Sequence, residues 1–191
     1  MKKDLILCGV GGQGILSIAT IIGEAATKAG IYLKQAEVHG MSQRGGDVQS
    51  NLRLSTSEIY SDLIPLGKAD VIISMEPMES LRYLPYLNKE GWVVTSNKPF
   101  INIPNYPDEQ ALAAELAALP HVAQLDIDTI AKEVAIPKAA NMVLLGLAAP
   151  YIEILTVDQL REAIKTIFAR KGEEIVATNL KAFDAGVAAT K

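Results

Sequence analysis

The sequence holds one cysteine, Cys8, and two histidines, His39 and His121, among 191 residues. A single thiol makes no internal disulfide and cannot carry an iron–sulfur cluster, which takes several sulfur ligands. Any such cluster must belong to a partner. One thiol and two imidazoles also fall short of a zinc site of the His/Cys kind, and no metal site is expected in this chain. Aromatic residues are 5% of the chain and scattered singly, which speaks against a base-stacking surface. Basic side chains do not dominate either. The net charge of −4 removes the electrostatic basis for gripping nucleic acid or an anionic membrane. No apolar run approaches the ~20 residues of a membrane span. Met1-Lys2-Lys3-Asp4 leads straight into an apolar strand with no signal-peptide layout, so a cytoplasmic location is expected.

What is present describes one soluble α/β domain over residues 1–191 with an aliphatic core, since 49% of residues are hydrophobic. Leu5 to Cys8 is an apolar run stopped by Gly9, the pattern of a strand covered on both faces. From Gln13 to Ala29, Leu16, Ala19, Ile22, Ala26 and Ala29 recur at helical spacing, and Gly30 suits a helix end. Ile31 to Val38 offers a second strand, parallel to the first across the helix crossover. Val48 to Leu54 alternates apolar and polar residues, which predicts an antiparallel strand with one wet face, closed into a hairpin by Glu58-Ile59-Tyr60.

Val71–Met75 and Trp92–Thr95 read as buried strands around a short helical stretch at Met78–Leu87. Ile101–Ile103, a helix opened by Pro107-Asp108-Glu109, and His121–Leu125 read as a further β-α-β passage. The remainder is helical, with a capping box at Thr156 to Gln159 and one apolar face on each of the last two helices. The expected fold is therefore a three-layer, Rossmann-like α/β sheet, mostly parallel with an antiparallel hairpin element and a helical C-terminal part. Residues 71–155 carry ten acidic side chains against five basic ones, for which the plain reading is a solvated acidic face.

Gly9-Val10-Gly11-Gly12-Gln13-Gly14 places GxGxxG directly between a strand and a helix. Here Gly9 permits the turn, Gly11 a close approach to the backbone, and Gly14 the packing of helix on strand, while the helix start offers N–H groups to an anion. Glu37, 23 residues after Gly14, stands near the position of a ribose-binding carboxylate, which keeps a nicotinamide or flavin site open. A glycine turn serving packing alone is the other reading. Gln13 argues beyond packing, because a long amide at the helix start can reach a ligand or a partner chain.

The second unusual stretch is Glu37-Val38-His39-Gly40-Met41-Ser42-Gln43-Arg44-Gly45-Gly46. It gathers a carboxylate, an imidazole, a hydroxyl, an amide and a guanidinium among three glycines. In an open α/β sheet this loop and the first emerge at the same ligand-binding edge and line one cleft. The planar fork of Arg44 suits a carboxylate or phosphate. His39 is a candidate acid/base or a structural, hydrogen-bonded histidine.

These two motifs, followed by Val48-Gln49-Ser50-Asn51-Leu52-Arg53, resemble the gamma-type subunit or domain of 2-oxoacid:ferredoxin oxidoreductases, and within it the small beta subunit of the indolepyruvate branch. Asn141-Met142-Val143-Leu144-Leu145-Gly146 and the terminal helices are similar to the same family. The resemblance implies a large partner chain that holds thiamine diphosphate, Mg and 4Fe-4S clusters. That complex converts a 2-oxoacid and coenzyme A to acyl-CoA and carbon dioxide while reducing ferredoxin. It implies that Gly11, Gly12, Gln13 and Gly14, with Gly40, Ser42, Gln43, Arg44, Gly45 and Gly46, line a cleft facing coenzyme A or the partner's thiamine site. His39 and Arg44 are the catalytic candidates. No GDG motif with a downstream asparagine pair is present to hold thiamine diphosphate here. Inactivity without the large subunit is expected, and a homodimer of the isolated chain stays open. A stand-alone nicotinamide or flavin enzyme and a non-catalytic scaffold subunit are the alternatives.

Overall fold

The computed structural model describes residues 1–39 and 45–190, with the side chain of His39 outside the description. Six strands, β1 (Lys2–Val10), β2 (Tyr32–His39), β3 (Asp47–Ser55), β4 (Ala69–Ser74), β5 (Leu87–Ser96) and β6 (Val122–Leu125), form one sheet in the order β2-β3-β1-β4-β5-β6. The described α-helices are α1 (Ile15–Lys28), α2 (Pro77–Arg82), α3 (Glu109–Ala117), α4 (Ile127–Val134), α5 (Ala140–Ile152), α6 (Val157–Phe168) and α7 (Glu173–Ala188). None of them is long and apolar enough to cross a membrane.

Alternate residues of the central strands feed two cores, as the period of a doubly covered strand requires. Leu5, Leu7, Val71, Ile73 and Val94 face the larger core with α1 and α4 to α7. Ile6, Cys8, Ile72 and Val93 face a smaller one with Ile64, Tyr83 and Leu116. This is the three-layer arrangement expected, and the capping box at Thr156 and Gln159 is present. The helix stripe on α1 differs in phase. Ile15, Ile18, Ala19, Ile22, Ala25 and Ala26 are buried, whereas Leu16 is turned outward.

Four strand expectations are corrected. β2 runs in the same direction as β1 but does not pair with it, because β3 is inserted antiparallel between them. With β1 on one side and β2 on the other, β3 has no free edge, and residues 58–60 form no strand. Nor do residues 101–103, whose segment crosses the carboxyl edge after β5 has already paired with β6. The polar face of β3 is not wet. Asn51 is buried and its Oδ1 accepts from the Ile64 N–H (3.2 Å), while Arg53 donates to the carbonyls of Ser61 and Leu63 (both 3.0 Å). Those side chains tie the irregular segment 61–64 to β3, and Asn51 pairs the backbone N–H of buried Ile64, which would otherwise lack a partner. Arg53 also holds the fully buried Asp4 through Nε (2.9 Å) and Nη2 (3.2 Å).

The helical layer closes where α5 crosses α7. A Cβ on Gly146 would stand 2.0 Å from the Phe183 carbonyl oxygen, and one on Gly186 would stand 2.0 Å from that of Val143. The two backbones touch reciprocally, so any side chain at either position must push the helices apart. Gly146→Ala is expected to cost about 3 kcal/mol, a fall of roughly 6–12 °C in Tm by thermal denaturation. A Tm unchanged by the substitution would show that the crossing yields freely. Among the described residues, Arg53→Ala leaves the Asp4 carboxylate with the half-exposed Lys2 (2.6 Å) as its remaining cation and should cost about 3 kcal/mol in denaturant unfolding. The Asp4→Asn/Arg53→Met pair should recover most of that loss, since it leaves no buried charge unmatched.

Candidate functional site

The carboxyl ends of β1 and β2 bring the two glycine-rich loops to one edge, as the sequence leads one to expect. Opposite Gly9 in the sheet stands Val48 of β3, and opposite Val48 stands His39 of β2. The loops are hydrogen-bonded to each other. Gly11 N–H donates to the Gly46 carbonyl (2.8 Å), and Gly45 N–H reaches back to the Gly11 carbonyl (3.4 Å). The close neighbour that Gly11 admits is thus the second loop. Gly40, Ser42, Gln43 and Arg44 lie outside the described residues.

Gln13 closes its own loop: its Oε1 accepts from the Val10 N–H (2.8 Å). Gly9 is needed where the chain is tightest, since a Cβ there would meet that Oε1 at 2.9 Å and the Met75 Cβ at 3.1 Å. Gly12 and Gly14 have φ of 103° and 87°, left-handed values that suit glycine. At Gly14 the fit is also steric, because Asn141 Nδ2 occupies the space of a side chain and donates to the Gly14 carbonyl (3.2 Å). α1 therefore begins with no side-chain cap and no acidic residue in its first turn, which leaves the positive end of a fourteen-residue helix uncompensated by its own sequence.

Glu37 does not stand where a dinucleotide fold places its ribose carboxylate. It is level with Leu7 rather than with the glycine turn, and β3 separates it from β1 by a second strand spacing, about 10 Å in all. Gln35 Nε2 donates to its carboxylate (3.3 Å). The inserted strand thus takes away the geometry on which the nicotinamide reading depends.

Sequence reasoning missed a third wall. Residues 97–108 leave β5 and cross the same edge, where Asn102 Nδ2 donates to the Gly45 carbonyl (2.8 Å). Glu76, at the end of β4, is fully buried and anchors that crossing segment. Its Oε1 accepts from the Phe100 N–H (3.3 Å) and from the Tyr106 hydroxyl, and its Oε2 caps α2 through the Glu79 N–H (2.9 Å). Burial, and then the hydrogen bond to Glu76, push the Tyr106 phenol well above its ordinary range, so it stays a donor. Glu79, also buried, holds Arg82 through two hydrogen bonds (2.8 and 3.1 Å). Two carboxylates of the acidic segment are therefore interior, which corrects the solvated-face reading for them. The available signal was the position of Glu76, directly after a buried strand at the ligand-binding edge.

Leu16, Val38, Phe100 and Ile101 expose large apolar side chains on the segments that carry or adjoin the loops. Among the described residues no group of three or more His, Cys, Asp or Glu side chains could hold a metal ion.

Residues 4–189 match the pyruvate ferredoxin/flavodoxin oxidoreductase family. Over its whole length the chain is 37% identical to the indolepyruvate oxidoreductase subunit IorB of Pyrococcus horikoshii, of which it covers 98%, and 36% identical to that of Thermococcus kodakarensis over the same shares. A keto/oxoacid ferredoxin oxidoreductase gamma subunit from Geobacter sulfurreducens has the same fold, with a TM-score of 0.72 at 23% identity and 98% of each chain covered. So does part of a 2-oxoglutarate:ferredoxin oxidoreductase from Magnetococcus marinus (TM-score 0.76, 24% identity), covering 99% of this chain but only 31% of that longer one. The family match over residues 4–189 and this whole-length likeness place the chain in the pyruvate ferredoxin/flavodoxin oxidoreductase family.

Proposed function

We propose that the chain is the small subunit of a 2-oxoacid:ferredoxin oxidoreductase acting on aryl pyruvates, indolepyruvate foremost. The carrying observation is the full-length identity to indolepyruvate oxidoreductase subunits, to which the site geometry adds its own support. The reaction joins a 2-oxoacid and coenzyme A, releases carbon dioxide, and passes two electrons to ferredoxin. Thiamine diphosphate supplies the carbanion chemistry and clusters carry the electrons. With one cysteine, buried and with its thiol pushed up by desolvation, this chain has no set of thiolate ligands for a cluster. Those groups, with Mg, belong to a large partner subunit in this reading.

The chain's own part is to complete a binding cleft. The open start of α1 offers stabilisation to an anion, and coenzyme A is rich in phosphate. Arg44, Ser42 and Gln43 belong to the same second loop, and Arg44 serves as the phosphate or carboxylate partner. His39 stays with them as an acid/base candidate. The exposed apolar residues around the loops suit contact with the large subunit, because an apolar rim gains from burial once a partner covers it. The 2-oxoglutarate enzymes that match at lower identity make 2-oxoglutarate the comparison substrate.

The purified small chain should be inert with indolepyruvate, coenzyme A and a ferredoxin or viologen acceptor, and addition of the large subunit should restore turnover. Full turnover by the large subunit alone would reduce this chain to a scaffold. A flavin-yellow preparation, or tight NAD binding by the isolated chain in equilibrium titration, would favour the stand-alone reading instead. In the reconstituted complex, Arg44→Ala should lower kcat/KM for coenzyme A or the oxoacid by about 10–100-fold, the value of a charge-assisted contact of ~1.5–3 kcal/mol. Unchanged values for both substrates would remove Arg44 from the cleft.

A further inference from the structure

The site contains a chain of contacts that neither loop motif announces. Fully buried Glu76 binds the segment after β5 at two points, the Phe100 N–H and the Tyr106 hydroxyl. Between those points, Asn102 Nδ2 holds the Gly45 carbonyl, and Gly45 and Gly46 in turn pair with both backbone groups of Gly11. The Oδ1 of the same Asn102 amide is buried and accepts from no described group. An amide so placed is not held by its own full satisfaction, which would favour a position with both ends paired. It is held by the segment that carries it, and that segment is fixed by Glu76.

We propose that residues 97–106 are a positioning strap and that Asn102 is a positioning residue for coenzyme A. Through Gly45 it sets the spacing between Gly11 and the second loop, and therefore the placement of the uncapped start of α1, whose N–H groups meet the coenzyme's phosphates. This rests on the small-subunit reading above. Asn102 touches no reacting atom and acts through the backbone of Gly45. Glu76 acts one step further back, as the anchor of the strap. An error of a fraction of an ångström in the loop spacing weakens binding of the coenzyme while leaving the chemical step on the partner chain intact.

The test uses the reconstituted two-subunit complex. Asn102→Asp is close to isosteric and replaces the donor by an acceptor facing the Gly45 carbonyl, so it removes the contact without leaving a hole. Its KM for coenzyme A is expected to rise about tenfold, with kcat and the KM for the oxoacid within about twofold of the wild-type complex. Tyr106→Phe, which loosens the anchor at a distance, should move the same constant by about twofold to fivefold. Hydrogen exchange over residues 9–14 should quicken in both complexes, since the Gly11 N–H loses a fixed acceptor. An assembled Asn102→Asp complex with wild-type KM for coenzyme A and wild-type exchange overturns the proposal. So does an equal change in the constants of both substrates, which would mark the strap as merely structural. A wild-type complex that oxidises no 2-oxoacid would instead overturn the functional reading, and the exchange measurement would still decide whether Asn102 holds the loops.

Discussion

The Gly11 to Gly46 hydrogen bond depends on the nine-residue antiparallel pairing of β3 with β1. Register sets it: Val10 stands opposite Asp47, so the residue that follows Val10 meets the residue that precedes Asp47. Once that pairing forms, Gly45 and Gly46 are brought against Gly11. The consequence is chemical as well as topological. A β-loop-α unit with β2 beside β1 leaves its glycine turn open to a dinucleotide; here the turn is roofed by another backbone, and the acidic residue of β2 is carried away by one more strand. The same glycine pattern thereby acquires a different use. Gly11 gives both its N–H and its carbonyl to the second loop, and the anion-facing capacity of the edge shifts to the uncapped start of α1.

Much of this fold was legible because it is local. The apolar run before Gly9, the helical period after Gly14, the Thr156 capping box and the buried runs at residues 71–75 and 92–95 each encode their element within a dozen residues. The strand order was not legible. β3 reads as a half-wet antiparallel strand, and nothing in Val48 to Leu54 says that its polar face will be covered by residues 61–64. Polar side chains that serve another segment's backbone look, in sequence, like polar side chains that serve water. Ile101–Ile103 misleads in the opposite sense, since β-branched residues at an exposed edge read as a strand.

The same distinction governs the site. The glycine loops advertise themselves because unusual backbone conformations demand glycine, as the φ values at Gly12 and Gly14 show. Glu76, Tyr106, Asn102 and Asn141 carry no such mark. Their partners are 24 to 127 residues away in sequence, and each looks like an ordinary polar residue until the topology joins them. Glu76 is the clearest case. A carboxylate removed from water is strongly disfavoured unless several donors replace the lost solvent, and here two backbone N–H groups and a phenol do so. A buried anion that meets this requirement must also fix whatever supplies the donors. That is why the segment after β5 is pinned although it has no regular secondary structure.

A pinned edge with an apolar rim explains how so small a chain can take part in chemistry for which it lacks the ligands. In the proposed reading the work left to it is geometric: to present the uncapped start of α1, with Gly45 and Gly46 held against Gly11, to a partner chain. Rigidity at that edge comes from interior groups, the Glu76 clamp, the Asn141 contact to Gly14 and the Gln13 closure of its own loop. The side chains of Leu16, Val38, Phe100 and Ile101 are exposed, although the Phe100 backbone N–H belongs to the Glu76 clamp. Such residues on loop-bearing segments gain free energy only when another surface covers them. The two properties belong together. In the proposed reading, a wall that one chain supplies to another gains by holding its shape before the partner arrives and by losing unfavourable exposure when it does, since ordering it only on binding would subtract from the affinity that the contact provides.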